Sequence, residues 1–177
     1  AIYITHAHIG HYTGLMYFGR EALGSKNLLV KALPKMSNFL KTNGPWNQLV
    51  NLNNIQIQNT DFDESYLELN NIHVTPIKVP HRDEYSETAG YIITGKNKKA
   101  LFIPDIDKWE KWDKKLIDLA KDFDYLLLDA TFYNSKEISR DISEIPHPLV
   151  SETINLLDSL SKENKRKVYF IHMNHTN

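Results

Sequence analysis

The sequence predicts an α/β domain in which sheets are covered by helices, and three observations carry that prediction. Strand–loop–helix units stand at both ends of the chain, a period of two marks its middle, and every apolar run stops at strand length. Ile2 to Ile4 reads as a short buried strand that runs into Thr5-His6-Ala7-His8-Ile9-Gly10-His11, and Tyr12 to Leu23 follows with the helical spacing of Leu15, Phe18 and Ala22. Leu28 to Ala32 is a second short strand. Pro34 opens a helix through Met36, Phe39 and Leu40, and the Thr42-Asn43-Gly44-Pro45 cluster ends it.

From Asn53 the rhythm is that of an antiparallel meander. Ile55 and Ile57 alternate with polar neighbours, Tyr66 to Leu69 follows, and Ile72 to Val79 makes a longer strand. Gly90 to Thr94 and Ala100 to Ile103 flank the turn-prone Gly95-Lys96-Asn97-Lys98 and predict a hairpin that ends at Pro104-Asp105. Trp109, Trp112, Leu116, Ile117 and Ala120 form an amphipathic stripe, and Asp124 to Asp129 reads as a buried strand of parallel type. A last helix spans Pro148 to Leu160, and a last strand, Lys167 to Ile171, runs into His172. With no repeat, low-complexity segment or linker, the expectation is one domain over 1–177.

Composition narrows the function. The 177 residues include 21 Lys+Arg against 22 Asp+Glu, a net charge of −1 that provides no bulk basic field for a nucleic acid partner. Zero Cys excludes disulfides and thiolate chemistry, so any metal must be held by His and carboxylates. No apolar run approaches the roughly 20 residues of a membrane span, and a soluble, cytoplasmic protein without membrane partners is expected. The start at Ala1 inside an apolar segment and the stop at Asn177 predict a piece of a longer protein, in which a leader or early strands precede this sequence.

The chemistry concentrates in histidine. Three of the eight, His6, His8 and His11, fall within six residues between a strand and a helix. Residues i and i+2 of an extended segment point the same way, and the turn into the helix brings the third imidazole alongside. H-x-H-x-x-H is therefore a metal-ligand spacing. His81, Asp105 and His172 each stand just past the end of a predicted strand, where ligands collect in open sheets. His73 has the same parity as His81 but lies about 26 Å away along an extended strand, so it serves as a control. Asp107 rivals Asp105 as a cation ligand and lies farther from the strand end. His147, held between Pro146 and Pro148, and His175 are candidates for proton transfer, and Arg82 for an anionic substrate group.

Those residues together resemble a known family. Thr5 to His11 with Thr13-Gly14-Leu15 is similar to the H-x-H-x-D-H signature of the metallo-β-lactamase superfamily, and His81, Gly90-Tyr91, Pro104-Asp105, Asp129 to Phe132, His147 and His172 follow in the family's order. The stretches Val79 to Glu84, Ile103 to Trp109 and Ile171 to Asn177 look most like the branch containing pyrroloquinoline quinone biosynthesis protein B, with the ribonuclease Z and cyclic-phosphodiesterase group next. The resemblance implies a four-layer αββα sandwich lacking its first strands here. It implies one metal site of His6, His8 and His81, bridged by Asp105 to a second completed by His11 and His172. It also implies that His147 works near a scissile phosphate. One position departs from the signature: Gly10 stands where the family has its aspartate, which predicts a weaker second site.

The expected function is a metal-dependent hydrolase with Asp105, His147 and His175 as catalytic residues, Arg82 as substrate ligand, and Zn²⁺ as one or two ions, with Fe²⁺ or Mn²⁺ as substitutes. A small anionic ester or phosphodiester is the expected substrate, or a short peptide. The branch resemblance implies a second reading, iron-dependent oxidation, and a third is a metal-stabilised binding domain without catalysis.

Overall fold

In the computed structural model, which describes residues 1–137, 141 and 144–174, nine strands and six α-helices are seen among the described residues. The chain divides into two units, Ala1–Glu64 with Asp83–Ala89, and Ser65–Arg82 with Gly90–Asn177. Among the described residues no helix is long and apolar enough to cross a membrane.

The first unit is built on a three-stranded parallel sheet in the order β1 (Ile2–Tyr3), β2 (Leu28–Ala32), β3 (Ile55–Asn59). β2 pairs with β3 from Leu28↔Ile55 to Ala32↔Asn59. This corrects the meander expected from Asn53 onward. The alternation of Ile55 and Ile57 is real, but it does not encode strand direction, and parallel return needs a crossover. That crossover is helical: α2 (Pro34–Thr42) is followed at once by α3 (Trp46–Asn51), which hides behind a Gly-Pro pair that reads only as a terminator. Val30, Ala32, Met36, Leu40, Leu49 and Ile55 close the core between these helices and the sheet.

The helix expected from Tyr12 is instead a single α-turn, α1 (Ile9–Tyr12), continued as a 3₁₀ segment over Thr13–Phe18. Gly10 and Gly14 lower helix propensity by roughly 1 kcal/mol each, and a 3₁₀ turn tolerates the short run that remains.

The second unit carries a six-stranded sheet in the order β4 (Tyr66–Leu67), β5 (His73–Lys78), β6 (Ala89–Thr94), β7 (Lys99–Ile103), β8 (Tyr125–Asp129), β9 (Val168–Ile171). β6 and β7 form the expected antiparallel hairpin, and β7, β8 and β9 run parallel, with Ile103 opposite Leu128 and Asp129 opposite Ile171. Leu101, Ile103, Leu126 and Leu128 are fully buried and pack with Leu116, Ala120, Leu157 and Leu160. The predicted stripe from Trp109 splits into a 3₁₀ turn over Trp109–Lys111 and α4 (Leu116–Asp122). Both indoles are committed to the fold: Trp109 Nε1 donates to Thr153 Oγ1 and Trp112 Nε1 to the Lys78 carbonyl, each at 2.8 Å.

The final predicted helix is also shorter. α5 (Val150–Leu156) starts where the Glu152 carboxylate accepts the Leu149 N–H at 2.9 Å, and α6 (Lys162–Lys165) starts where Ser161 Oγ accepts the Asn164 N–H.

Candidate metal centre

In the first unit, the chain leaves β1 extended and Ala7 turns into the apolar core beside buried Thr5 and His6. A strap, residues 83–89, holds this segment: Ala89 N–H donates to the Thr5 carbonyl at 3.0 Å, and Ala7 N–H donates to Ser86 Oγ at 2.8 Å. Fixed in this way, His6, His8 and His11 cluster, with ring centroids 4.4 Å (His6–His8) and 4.2 Å (His6–His11) apart.

The tautomers follow from the partners. His8 Nε2 lies 2.8 Å from Glu84 Oε2, and a carboxylate only accepts, so the proton sits on Nε2 and the Nδ1 lone pair faces His6 Nε2 at 2.8 Å. Carboxylate–imidazole pairing of this kind orients metal-binding histidines. Glu84 sits in a charge run that reads as a solvated loop, so sequence gave no signal for its role.

In the second unit, the ends of parallel strands deliver the chemistry. Asp105 follows β7, Asp129 closes β8, and His172 follows β9 with a left-handed backbone, φ 62°. His81 comes just after β5 with its side chain fully buried, and its Nε2 lies 3.3 Å from Asp105 Oδ1. His147 Nδ1 is 2.8 Å from Asp129 Oδ2 and 3.2 Å from Asp105 Oδ1. His172 Nε2 is 4.0 Å from Asp105 Oδ2. Asp105, Asp129, His147 and His172 each offer one ligand atom within 4.8 Å of all the others.

Thr131 fixes the last tautomer. Its hydroxyl donates to Asp129 Oδ1 at 2.7 Å, so it accepts from His172 Nδ1 at 2.8 Å, and the His172 Nε2 lone pair is left toward Asp105. Asp129 also accepts the backbone N–H of Thr131 and Ile106.

The electrostatics favour a cation. Asp105 is 3% exposed and Asp129 is not exposed at all, and two carboxylates at that depth require nearby positive charge. Burial pushes the Asp129 carboxyl up, but the hydrogen bond from His147 and the nearby His172 imidazole outweigh it and hold the group below its usual range. The Asp129 carboxylate, 3.8 Å from His172 Nδ1, in turn raises His172 against the opposing effect of burial. Imidazoles and carboxylates without thiolates form a donor set suited to Zn²⁺, Mn²⁺ or Fe²⁺.

Other predicted residues fall elsewhere. Asp107 is taken by Lys111 Nζ at 2.7 Å and so leaves the cation role to Asp105. Arg82 is exposed just after His81. His73, at the start of β5, contacts Ser65. His175, together with residues 138–140 and 142–143 of the segment before His147, lies outside the described residues. Asp129 is the residue that sequence reasoning left without a role. Its position at a strand end was the available signal, the same one that singled out Asp105.

Residues 1–173 match the family model for a beta-lactamase superfamily domain. No curated protein matches the sequence significantly. Among solved structures, Zn²⁺-bound PqqB from Methylobacterium extorquens aligns with TM-score 0.77 and 18% identity over 99% of this chain and 62% of that one. The metallo-beta-lactamase fold protein YhfI from Bacillus subtilis aligns with TM-score 0.66 and 16% identity over 98% and 64%. A diphosphatase of the PhnP family gives TM-score 0.66 and 20% identity over 99% and 61%. The chain therefore spans less than two thirds of each of these proteins, and at such identities the likeness is one of fold.

Proposed function

This chain belongs to the beta-lactamase superfamily, and we propose that it is a metal-dependent hydrolase acting on a small anionic ester or phosphodiester. In this reading His6, His8, His11, His81, Asp105 and His172 are the metal ligands, as the family resemblance implies, and Zn²⁺ is the first candidate. A divalent cation bound to such ligands supplies a Lewis acid and a water whose pKa falls towards about 7. The observation that carries the proposal is the pair of buried carboxylates, Asp105 and Asp129, ringed by His81, His147 and His172.

The residues divide the remaining work. Asp129 accepts from His147 Nδ1, which leaves Nε2 as the nitrogen that takes up a proton and, from the imidazolium, would pass it to a leaving group. Asp105, held out of water beside His81 and His147, would orient the attacking water. Arg82 presents an exposed guanidinium suited to bidentate pairing with a substrate phosphate or carboxylate. His175 is a second candidate proton donor from its place three residues beyond His172.

The test is hydrolysis of generic ester, lactam and phosphodiester substrates by the full chain loaded with Zn²⁺, Mn²⁺ or Fe²⁺. Turnover with at least one metal is expected, and His81→Ala or His172→Ala should lose bound metal and turnover together. Hydrolysis by chelated protein would refute the assignment.

The resemblance of Val79 to Glu84 and Ile103 to Trp109 to the quinone-biosynthesis branch implies a second reading, iron-dependent oxidation of a small molecule or short peptide. Oxygen uptake that requires Fe²⁺, with no hydrolysis under Zn²⁺, would favour it.

A further inference from the structure

Beside the His8–Glu84 pair, the first unit has a cleft of about 520 Å³ that the metal ligands do not use. Phe39 on α2 and Tyr85 on the strap form two of its walls, with ring centroids 6.0 Å apart and planes tilted by 50°, an open wedge of aromatic faces. Tyr12 and Trp46 back this wedge: the Tyr12 ring packs edge-on against Phe39 at 5.3 Å and against Trp46 at 5.0 Å. The Phe39 ring is therefore held in place, whereas Tyr85 is 69% exposed.

Polar groups line the same cleft. Lys35 and Asn38, one turn apart on α2, are both exposed, and among the described residues no carboxylate pairs with the Lys35 ammonium. The strap cannot drift from the helix, because the Glu87 carboxylate accepts the Lys35 backbone N–H through both oxygens, at 3.2 and 3.1 Å. Glu84 is the anionic group on the wall, and it is committed to His8 Nε2. One carboxylate and one imidazole thus separate the cleft from the His8 nitrogen that faces His6.

We propose that this cleft is the subsite that selects the substrate, taking a planar aromatic ring against the walls formed by Phe39 and Tyr85 and an anionic substituent of that ring on Lys35 and Asn38. Aromatic walls favour an offset or edge-on guest ring, a planar guest loses little conformational freedom on binding, and the Lys35 ammonium supplies a positive charge that offsets the Glu84 carboxylate on the same cleft. The proposal rests on the hydrolase reading only for its location beside a metal ligand. It narrows the substrate class to aryl esters or aryl phosphodiesters bearing an acidic group.

Equilibrium binding to the full chain, followed by NMR chemical-shift perturbation, separates the two ideas because it needs no turnover. Three probes suffice: 4-nitrobenzoate, cyclohexanecarboxylate with the same charge but no planar ring, and 4-nitrobenzamide with the same ring but no charge. We expect 4-nitrobenzoate to bind in the millimolar range and at least fivefold more tightly than either control, roughly what one aromatic contact or one partly exposed ion pair contributes. Tyr85→Ala and Lys35→Met, both at exposed positions, should each weaken it by about fivefold with the circular dichroism spectrum unchanged.

Equal affinity for the three probes, no binding up to about 10 mM, or binding that both variants leave intact would overturn the proposal. Ring-dependent binding without hydrolysis of any substrate would sink the hydrolase assignment and leave the subsite standing.

Discussion

Position 10 carries a hydrogen where the superfamily signature carries a carboxymethyl group. A Cβ built there meets nothing within 4 Å, so the missing ligand reflects composition rather than crowding. Gly10→Asp should therefore fold normally and raise the metal retained after dialysis from about one ion per chain towards two, measured by plasma mass spectrometry. Two ions retained by the parent after dialysis would show that the other ligands already hold a second ion. His6, His8 and His11 were legible in the sequence because their grouping depends on local backbone geometry alone. The tie from Asp129 to His147 was not, since it spans 18 residues and depends on where Thr131 points its hydroxyl. Glu84 was hidden for the same reason, being 76 residues from the imidazole it holds.

β6 lies against its neighbours so closely that a side chain at one position would push them apart. A Cβ on Gly90 would stand 3.0 Å from Ile103 Cγ1, 3.1 Å from the Phe102 carbonyl oxygen and 3.3 Å from Val79 Cγ1. Gly90→Ala should lower stability by about 1–3 kcal/mol in urea unfolding, the range for overpacking a filled core. Because Val79 leads to His81 and Ile103 to Asp105, the same variant should bind metal less tightly than the parent. Retention of both properties would mean that the strands part without consequence. Elements defined by local signals, such as the β6–β7 hairpin and the Pro34 start of α2, could be read from sequence. The parallel partnering of β3 could not, because the crossover that dictates it depends on packing of Leu40 and Leu49 against Val30 and Ile55.

For the whole molecule without metal, pH should act through one coupled interaction seen from both partners. The Asp129 carboxyl is depressed, so its contribution is present above the ordinary value of 3.8 and fades as pH falls through the lower folded value. His172 is raised, so its contribution is complete below 6.5 and fades as pH climbs through the higher folded value. Chelated protein should melt at its highest temperature between those limits, and divalent metal should flatten the alkaline side by replacing the proton as counter-charge. A melting temperature that rises steadily from pH 5 to pH 8 without metal would contradict this account.

β7, β8 and β9 point in one direction and release Asp105, Asp129 and His172 from the same side, whereas the opposite side of these strands holds ordinary tethers such as the Lys98–Asp124 ion pair at 2.7 Å. Reactivity and scaffolding thus occupy opposite poles of one sheet. A library that randomised only the turns leaving those three strands would sample new chemistries while the ladder beneath them, and the signals that fold it, stayed untouched.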